Sequence, residues 1–571
     1  MNNNALAEIF DNIARLLELD GDNPFRIRAY SNAARNIRAL SEDVALIAGR
    51  GELEKIPGIG SDLSQKIQEY LRTDKIKFYS DLLTKTPPVL IQMLEIPGVG
   101  PKTAKLIYEK LKPKSLDQLE NFCIQHKVNG LPGIKEKTEK NIYEAMEFLK
   151  KHRARNLLGK ALPLARKIVS ELAQLPHVDK ISYAGSLRRM QETIGDLDIL
   201  IASKKPRPVM EAFAKMRDIQ KVLAKGETKS TVISKGGIQI DLRVVSLESF
   251  GAALLYFTGS KAHNIKLRTL ASKRRLKINE YGLFNKSGRK LAGRTEEDIY
   301  KALGLDFIPP ELREDRNEVE LAAKGKLPRL IGTSDIRGDF HMHSNWSDGV
   351  HEIEAMVEAA KKRRLEYVVL TDHSQSLKGA HGLTRKEILR QINLVKKLND
   401  KMKGITVLTG SEVDILSDGS LDFEDDILAE LDFVVASVHS GFKQSKEQLT
   451  KRITRAMQNK HVDLIGHPTG RLLGERSAYD VDLEKVFKVA ASTATAMEIN
   501  SHPSRLDLSD IHAKRAVEMG VTLAIDTDSH ATGEFENLEY GVATARRAGC
   551  ERKNILNCLT LDELRKRVNQ K

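Results

Sequence analysis

Short apolar runs recur through residues 341–571 of this 571-residue chain, and most of them end on a histidine or a carboxylate. The runs EYVVLTDH, ITVLTGSE, DFVVASVH, VDLIGHP, AMEIN and VTLAIDTDSH alternate with segments of helical periodicity, the pattern of a parallel α/β sheet or barrel. Such folds carry their sites at the carboxyl ends of the strands. His341 and His343 follow a short strand with Asp348 in the next loop, and His373, Glu412, His439 and His467 end successive runs. Asp528 and His530 follow the last one, which brings the set to six histidines and three carboxylates. Mixed imidazole and carboxylate ligation suits Zn²⁺, Mn²⁺ or Fe, and nine ligands fit a cluster of three ions. A metal-activated water attacking a phosphate is the chemistry such a cluster performs. His381, His461, His502 and His512 fall outside the strand-end register and are read as ordinary side chains.

Eleven of the 15 histidines lie from His341 onward, so the chain divides into two chemically different halves. The charged, Gly- and Pro-punctuated stretch 309–338 separates them, with a linker expected at 316–334. The first half opens with helical periodicity and a weak internal repeat. Ile56-Pro57-Gly58-Ile59-Gly60, Ile96-Pro97-Gly98-Val99-Gly100 and Leu131-Pro132-Gly133-Ile134 each precede an amphipathic pattern, although Lys135 replaces the last glycine of the third copy. A helix, glycine turn and second helix present backbone N–H groups to a phosphate without reading bases. Gly58, Gly60, Gly98 and Gly100 are therefore the candidate nucleic-acid contacts. The balance of 92 basic and 78 acidic residues, a net +14, favours a polyanionic partner.

From Ile181 the pattern turns to strands, ISYAG, DLDILIA, TVISK and IQIDLRVV. In an extended strand Asp196 and Asp198 share one face while Leu197, Ile199 and Ile201 share the other. Asp241 stands opposite the apolar face of IQIDLRVV, so pairing of the two strands would gather three carboxylates on one patch. Three carboxylates stay ionised together only with cations, and hard oxygen ligands select Mg²⁺ or Mn²⁺. The matching chemistry is phosphoryl transfer with two ions about 3.5–4 Å apart.

GSLRR, GDLDIL, IQIDLRVV and YFTGSKAHN, with the glycine turns upstream, resemble the family X DNA polymerases, within the nucleotidyltransferase superfamily, over roughly residues 1–315. The resemblance implies a multidomain α/β chain. Its expected parts are a helical lyase-like domain at 1–85, a helical fingers-type segment at 86–150, a palm at 151–255 and a nucleotide-binding helical subdomain at 256–315. It implies that Asp196 and Asp198 hold both ions and that Asp241 helps activate the primer 3′-hydroxyl. Gly185, Ser186 and Arg189 would bind the triphosphate of a deoxynucleoside triphosphate, and Tyr256, Phe257 and Gly259 would lie against its sugar. Asn264 and Arg268 fall where the family reads the minor-groove edge of the nascent pair. Lys261 stands where several relatives carry an acid, which implies altered nucleotide affinity. Lys66 aligns with the Schiff-base lysine of related lyases; a helix lysine on a DNA phosphate is the equal alternative. The basic run from Lys261 to Lys277, with seven Lys or Arg and no acid, would line a template channel.

HMHS, TDHS, SVHS, GHP and DTDSH resemble the PHP (polymerase and histidinol phosphatase) domain, a distorted (βα)7 barrel, over residues 335–571. All nine metal positions of that family are filled, which implies Mn²⁺ or Zn²⁺ and a 3′→5′ exonuclease, with processing of abasic or blocked 3′ ends in some relatives. The expected whole is a gap-filling DNA polymerase of base excision repair, acting on primed or gapped DNA and carrying a nuclease. A scaffold with two inactive sites is disfavoured by the complete ligand sets. A nucleotidyltransferase acting on RNA or a small molecule, with a phosphatase attached, is disfavoured by the glycine turns and YFTGS. Three cysteines, the lack of a signal-peptide pattern and the lack of any apolar stretch approaching 18 residues imply a cytoplasmic protein with no membrane span, and a monomer is expected.

Overall fold

The computed structural model describes residues 3–38, 44–73, 75–94, 96, 99–152 and 155–569. Helices from Asn3–Asp20 to Glu136–His152 make up the amino-terminal part. One apolar cluster runs through them from Leu6 to Met146, so the two helical segments expected at 1–85 and 86–150 share a single core. The buried Ile56 and Ile59 seat the first glycine turn in that core, and Ile96 and Val99 are buried in it as well. Gly58 has φ +74°, the left-handed region that favours glycine, and Asn36 Nδ2 donates to the Pro57 carbonyl at 2.6 Å. Gly60 and Gly100 open the helices Ser61–Thr73 and Pro101–Leu111, whose first turns are closed by Ser64 N and Ala104 N, each 2.9 Å from a glycine carbonyl. Gly98 lies outside the described residues.

The palm is a five-stranded sheet of β1 (Lys180–Tyr183), β2 (Asp196–Ala202), β3 (Ile219–Lys225), β4 (Lys229–Ser234) and β5 (Gln239–Val245). Its spatial order is β1-β2-β5-β4-β3, with β2 and β5 parallel and the other neighbours antiparallel. Leu197, Ile199, Ile201, Ile240 and Leu242 pack in one core with residues of the helices Leu158–Ala173 and Pro206–Ala214. On the other face Leu200 and Ala202 meet Phe250, Ala253 and Leu254. That face is apolar at the far end of β2 and acidic at its start, because the sequence places aspartates at the first and third positions. The helices Phe250–Thr258 and Lys261–Lys273 follow, with a small sheet of Lys277–Asn279, Gly282–Phe284 and Lys290–Ala292.

The stretch read as a linker is folded. Its helix Glu318–Ala323 inserts Val319 and Ala322 into the cluster built on Ala252, Leu267 and Tyr300. Glu318 accepts from the buried His263, whose Nδ1 lies at 2.7 Å.

The carboxyl-terminal part is a seven-stranded parallel sheet in sequential order. Its strands are β6 (Gly338–Met342), β7 (Tyr367–Leu370), β8 (Thr406–Asp414), β9 (Phe433–Ser437), β10 (Leu464–Ile465), β11 (Ala496–Asn500) and β12 (Leu523–Asp526). Between β6 and β12 the barrel is closed mainly by side chains. Asp526 Oδ1 accepts from Phe340 N at 2.8 Å, Asp339 Oδ1 accepts from Thr527 N at 3.2 Å, and Asn557 Nδ2 donates to the Gly338 and Ile525 carbonyls at 2.9 and 2.8 Å. A parallel backbone bridge between Met342 and Ser529, with His343 N donating to the Ser529 carbonyl at 2.8 Å, completes the seam. Tyr367, Leu408, Phe433 and Val435 pack with Leu556 and Leu564 at the end opposite the histidines.

The two halves are docked. Pro503 packs on Gly159 so closely that a Cβ there would stand 2.4 Å from it, and Leu506 and Tyr540 join the palm core. Arg166 pairs with Glu539, Arg471 with Glu192 and Arg546 with Glu311, each at 2.7 Å.

Candidate active sites

Parallel pairing sets Asp198 of β2 directly opposite Asp241 of β5, with Asp196 two residues earlier on the same face. The turn Gly185–Arg188 closes the cage. Gly185 has φ +63°, and a Cβ on it would lie 2.5 Å from Asp198 Oδ2, so glycine is required on both counts. Burial, then the charges of Asp196 and Asp241, push the Asp198 carboxyl up to about 7 against Arg243 and Lys229. Asp241 Oδ1 is buried with no hydrogen-bond partner, and its Oδ2 lies 3.5 Å from Lys229 Nζ. An orphaned carboxylate oxygen beside two further carboxylates fits hard divalent cations.

Beside this cage Arg189 donates from Nη1 to the Thr258 carbonyl at 2.5 Å and from Nε to Glu314 Oε1 at 2.9 Å. Gly259 turns away at φ +71°, where a Cβ would come within 3.2 Å of Arg189 Nη1. Ser186 lies one residue into the same turn. Tyr256, Asn264 and Arg268 line one small pocket, Asn264 Nδ2 donating to the Tyr256 carbonyl at 2.7 Å. Phe257 is covered by Arg243, whose guanidinium carbon stands 4.5 Å from the ring centre. Lys261 opens the helix Lys261–Lys273 and is exposed. The neighbouring Arg188, to which the sequence reading gave no role, forks onto Glu296 at 2.9 and 2.7 Å. Burial works to raise Glu296, but Arg313 and Arg188 outweigh it and hold the carboxyl at about 2. Lys66 belongs to the amino-terminal helices, where its Nζ lies 2.5 Å from Asp62 Oδ1 and 5.5 Å from the Phe78 ring centre.

In the barrel the nine expected ligands stand together. His343, Asp348, His373 and His530 form one group with ligand atoms within 4.8 Å of each other; His341, His343 and Asp528 form a second, and His373, Glu412 and His439 a third. His467 joins through Nε2, 2.9 Å from Glu412 Oε1. His341 Nε2, both ring nitrogens of His343 and His467 Nδ1 are buried without hydrogen-bond partners. Burial, then the neighbouring His530 and His373, takes His343 down to about 3, so its imidazole is neutral and free to ligate. Orphaned imidazole nitrogens around shared carboxylates fit a cluster of metal ions.

Outer carboxylates orient these rings. Glu498 accepts from His341 Nδ1 at 2.7 Å and also from the backbone N–H of His467, while Asp414 Oδ1 lies 2.5 Å from His439 Nδ1. The sequence reading missed Glu498, although a carboxylate inside the apolar run AMEIN was a usable signal. Arg505 Nε, 3.5 Å from Asp528 Oδ2, also went unremarked.

A palm with a three-carboxylate cage, preceded by hairpin helices and followed by a ligand-filled parallel barrel, defines a two-site class of nucleotidyltransferase joined to a metal-dependent phosphoesterase. Family models agree: helix-hairpin-helix domain at residues 1–76, SAM-like helix-hairpin-helix tandem at 90–147, DNA polymerase beta thumb at 253–314 and PHP domain at 339–502. The chain is 40% identical over 567 residues, 99% of each protein, to the DNA polymerase/3′-5′ exonuclease PolX of Bacillus subtilis. Over 346 residues, 54% of this chain and 56% of the relative, it is 24% identical to DNA polymerase lambda of Rattus norvegicus. A probable phosphatase of Thermoanaerobacter sp. is 32% identical over 232 residues, 38% of this chain and 89% of that protein. The chain belongs to the PolX family of bacterial DNA polymerases. No helix among the described residues is long and apolar enough to cross a membrane.

Proposed function

We propose that this chain is a DNA-directed DNA polymerase that fills short gaps in base excision repair and shortens 3′ ends in its barrel. The observation that carries the reading is the presence, in one chain, of both the Asp196–Asp198–Asp241 cage and the nine-ligand barrel set. When bound, Mg²⁺ or Mn²⁺ at the cage and Mn²⁺ or Zn²⁺ in the barrel supply charge neutralisation and an oxygen nucleophile at neutral pH.

The residues of the chain do the rest. Asp196 and Asp198 would hold the ions, and Asp241, paired against Asp198, helps activate the primer 3′-hydroxyl by accepting its proton as the oxygen attacks the α-phosphate. Ser186, Arg189 and the Gly185 backbone grip the triphosphate as pyrophosphate departs, while Tyr256, Phe257 and Gly259 fix the sugar. Asn264 and Arg268 face the new base pair. Gly58, Gly60, Gly98 and Gly100 hold the DNA backbone through their backbone N–H groups. In the barrel His341, His343, Asp348, His373, Glu412, His439, His467, Asp528 and His530 hold the ions, and Glu498 and Asp414 keep two of the rings in ligating orientation.

The domain boundaries expected from sequence, with 316–334 folded against the preceding helices instead of a linker, together with a monomeric state and a cytoplasmic setting, complete the proposal. Products from a one-nucleotide gap test both sites. Extension with deoxynucleoside triphosphates and shortening without them is expected, and the absence of either removes that half of the reading. Identity over 232 residues to a probable phosphatase favours a second substrate, a 3′-phosphate; release of inorganic phosphate from a 3′-phosphorylated primer would establish it. Lyase action of Lys66 predicts a borohydride-trapped adduct on gapped abasic DNA that disappears in Lys66→Ala.

A further inference from the structure

The triphosphate turn is held from the barrel side as well as from the palm. Arg547, in the barrel-half helix Leu538–Arg547, is 4% exposed in its side chain. Its Nη1 donates to the backbone carbonyl of Arg189 at 2.7 Å and to Glu314 Oε1 at 3.0 Å, and its Nη2 donates to Asp510 Oδ2 at 2.8 Å. Glu314 Oε1 is the oxygen that accepts from Arg189 Nε at 2.9 Å, and it also accepts from Gln191 Nε2 at 2.6 Å. Asp510 is held in turn by Arg316 Nη1 at 3.1 Å. Burial works to raise the Glu314 carboxyl, and Arg189 and Arg547 outweigh it, so the carboxylate stays charged between its two guanidinium partners.

Arg547 therefore has two handles on one residue, the main chain of Arg189 and the carboxylate that orients its side chain. The Nε and Nη1 bonds use two of the five N–H groups of Arg189, leaving the others for anionic oxygens. Of the other docking pairs, Arg166–Glu539 and Arg546–Glu311 join the halves without touching the Gly185–Arg189 turn.

We propose that Arg547 is a positioning residue for the polymerase site, fixing Arg189 through Glu314 for the triphosphate of the incoming nucleotide. The proposal rests on the reading of Arg189 as a triphosphate ligand. A guanidinium free to rotate binds the same phosphates with a larger ordering cost, so the loss falls on nucleotide binding rather than on the chemical step. The barrel half thereby contributes to nucleotide affinity at a site whose ligands all lie in the other half.

Single-nucleotide gap filling with the full-length chain tests this, with shortening of a 3′ end as the measure of intact folding. Arg547→Ala is expected to raise KM for the deoxynucleoside triphosphate roughly 5- to 20-fold while changing kcat less than about twofold. Arg547→Lys, which keeps the charge but not the fork, should recover part of the loss. Arg189→Ala should raise KM at least as far, and Arg547→Ala added to Glu314→Gln should raise it little beyond Glu314→Gln alone. Arg166→Ala, which breaks a docking pair, should leave KM unchanged. An unchanged KM in Arg547→Ala beside a raised one in Arg189→Ala overturns the proposal, as does an equal rise in Arg166→Ala. An unchanged KM in Arg189→Ala overturns the triphosphate reading itself. If Arg547→Ala does not fold, Glu314→Gln carries the test, and a KM within twofold of the parent overturns the proposal.

Discussion

Asp198 faces Asp241 across a parallel strand pair, residue against residue, and burial together with Asp196 and Asp241 lifts its carboxyl to about 7. Two acids on neighbouring parallel strands are held at ladder spacing, so neither can retreat from the other's charge. The palm thus stores a repulsion that a divalent cation relieves.

Proton and cation compete for that pair. Because the Asp198 carboxyl is raised, it carries a proton below about pH 7, and that proton must leave before the cage is complete. Cation affinity should therefore fall as pH drops through 7, and more Mn²⁺ should restore gap filling at pH 6. Titration of Mn²⁺ dependence at pH 6, 7 and 8 checks this; a pH-independent half-saturation contradicts it.

Gly185→Ala should cost gap filling about 10²-fold or more, a loss typical of a site displaced by about 1 Å. The added carbon would meet Asp198 Oδ2 and face a positive φ. Shortening of 3′ ends should persist, since the barrel contains no part of this turn. Rates of both reactions measured on one preparation decide it.

Separation of function should be clean in both directions. Asp196→Ala or Asp198→Ala is expected to abolish extension and spare degradation, and His341→Ala or His343→Ala to do the reverse. Degradation that survives the triple removal of His341, His343 and His373 would move the nuclease out of the barrel.

Glu498→Gln tests the outer carboxylate. It leaves the nine ligands in place but removes the charge that fixes His341, and such changes weaken metal binding about 10- to 100-fold. Bound metal after dialysis, measured by elemental analysis, should drop, while gap filling at the palm stays at the parent rate.

Helix-hairpin turns, the strand pattern of the palm and the strand-end ligands were legible in the sequence because each is written in neighbouring residues. Asp196 and Asp198 share a face by the two-residue period of a strand, and eight of the nine barrel ligands lie at or just after the ends of apolar runs, with Asp348 in the loop that follows the first. The stretch 316–334 misled because charge and proline resemble a linker. The apolar Val319 and Ala322 are too few to announce a helix, yet they bury fully against the preceding helices.

By itself the sequence determined which chemistry the chain can perform: residue type and spacing select cations, and those choices are local. Only the tertiary structure decided which partners meet. The parallel register of Asp198 with Asp241, the side-chain seam of Asp339, Asp526 and Asn557, and the grip of Arg547 on Arg189 across 358 residues leave no periodic trace. A contact between distant segments depends on how separate cores pack, and that packing is set by the summed burial of many side chains rather than by any neighbour in sequence.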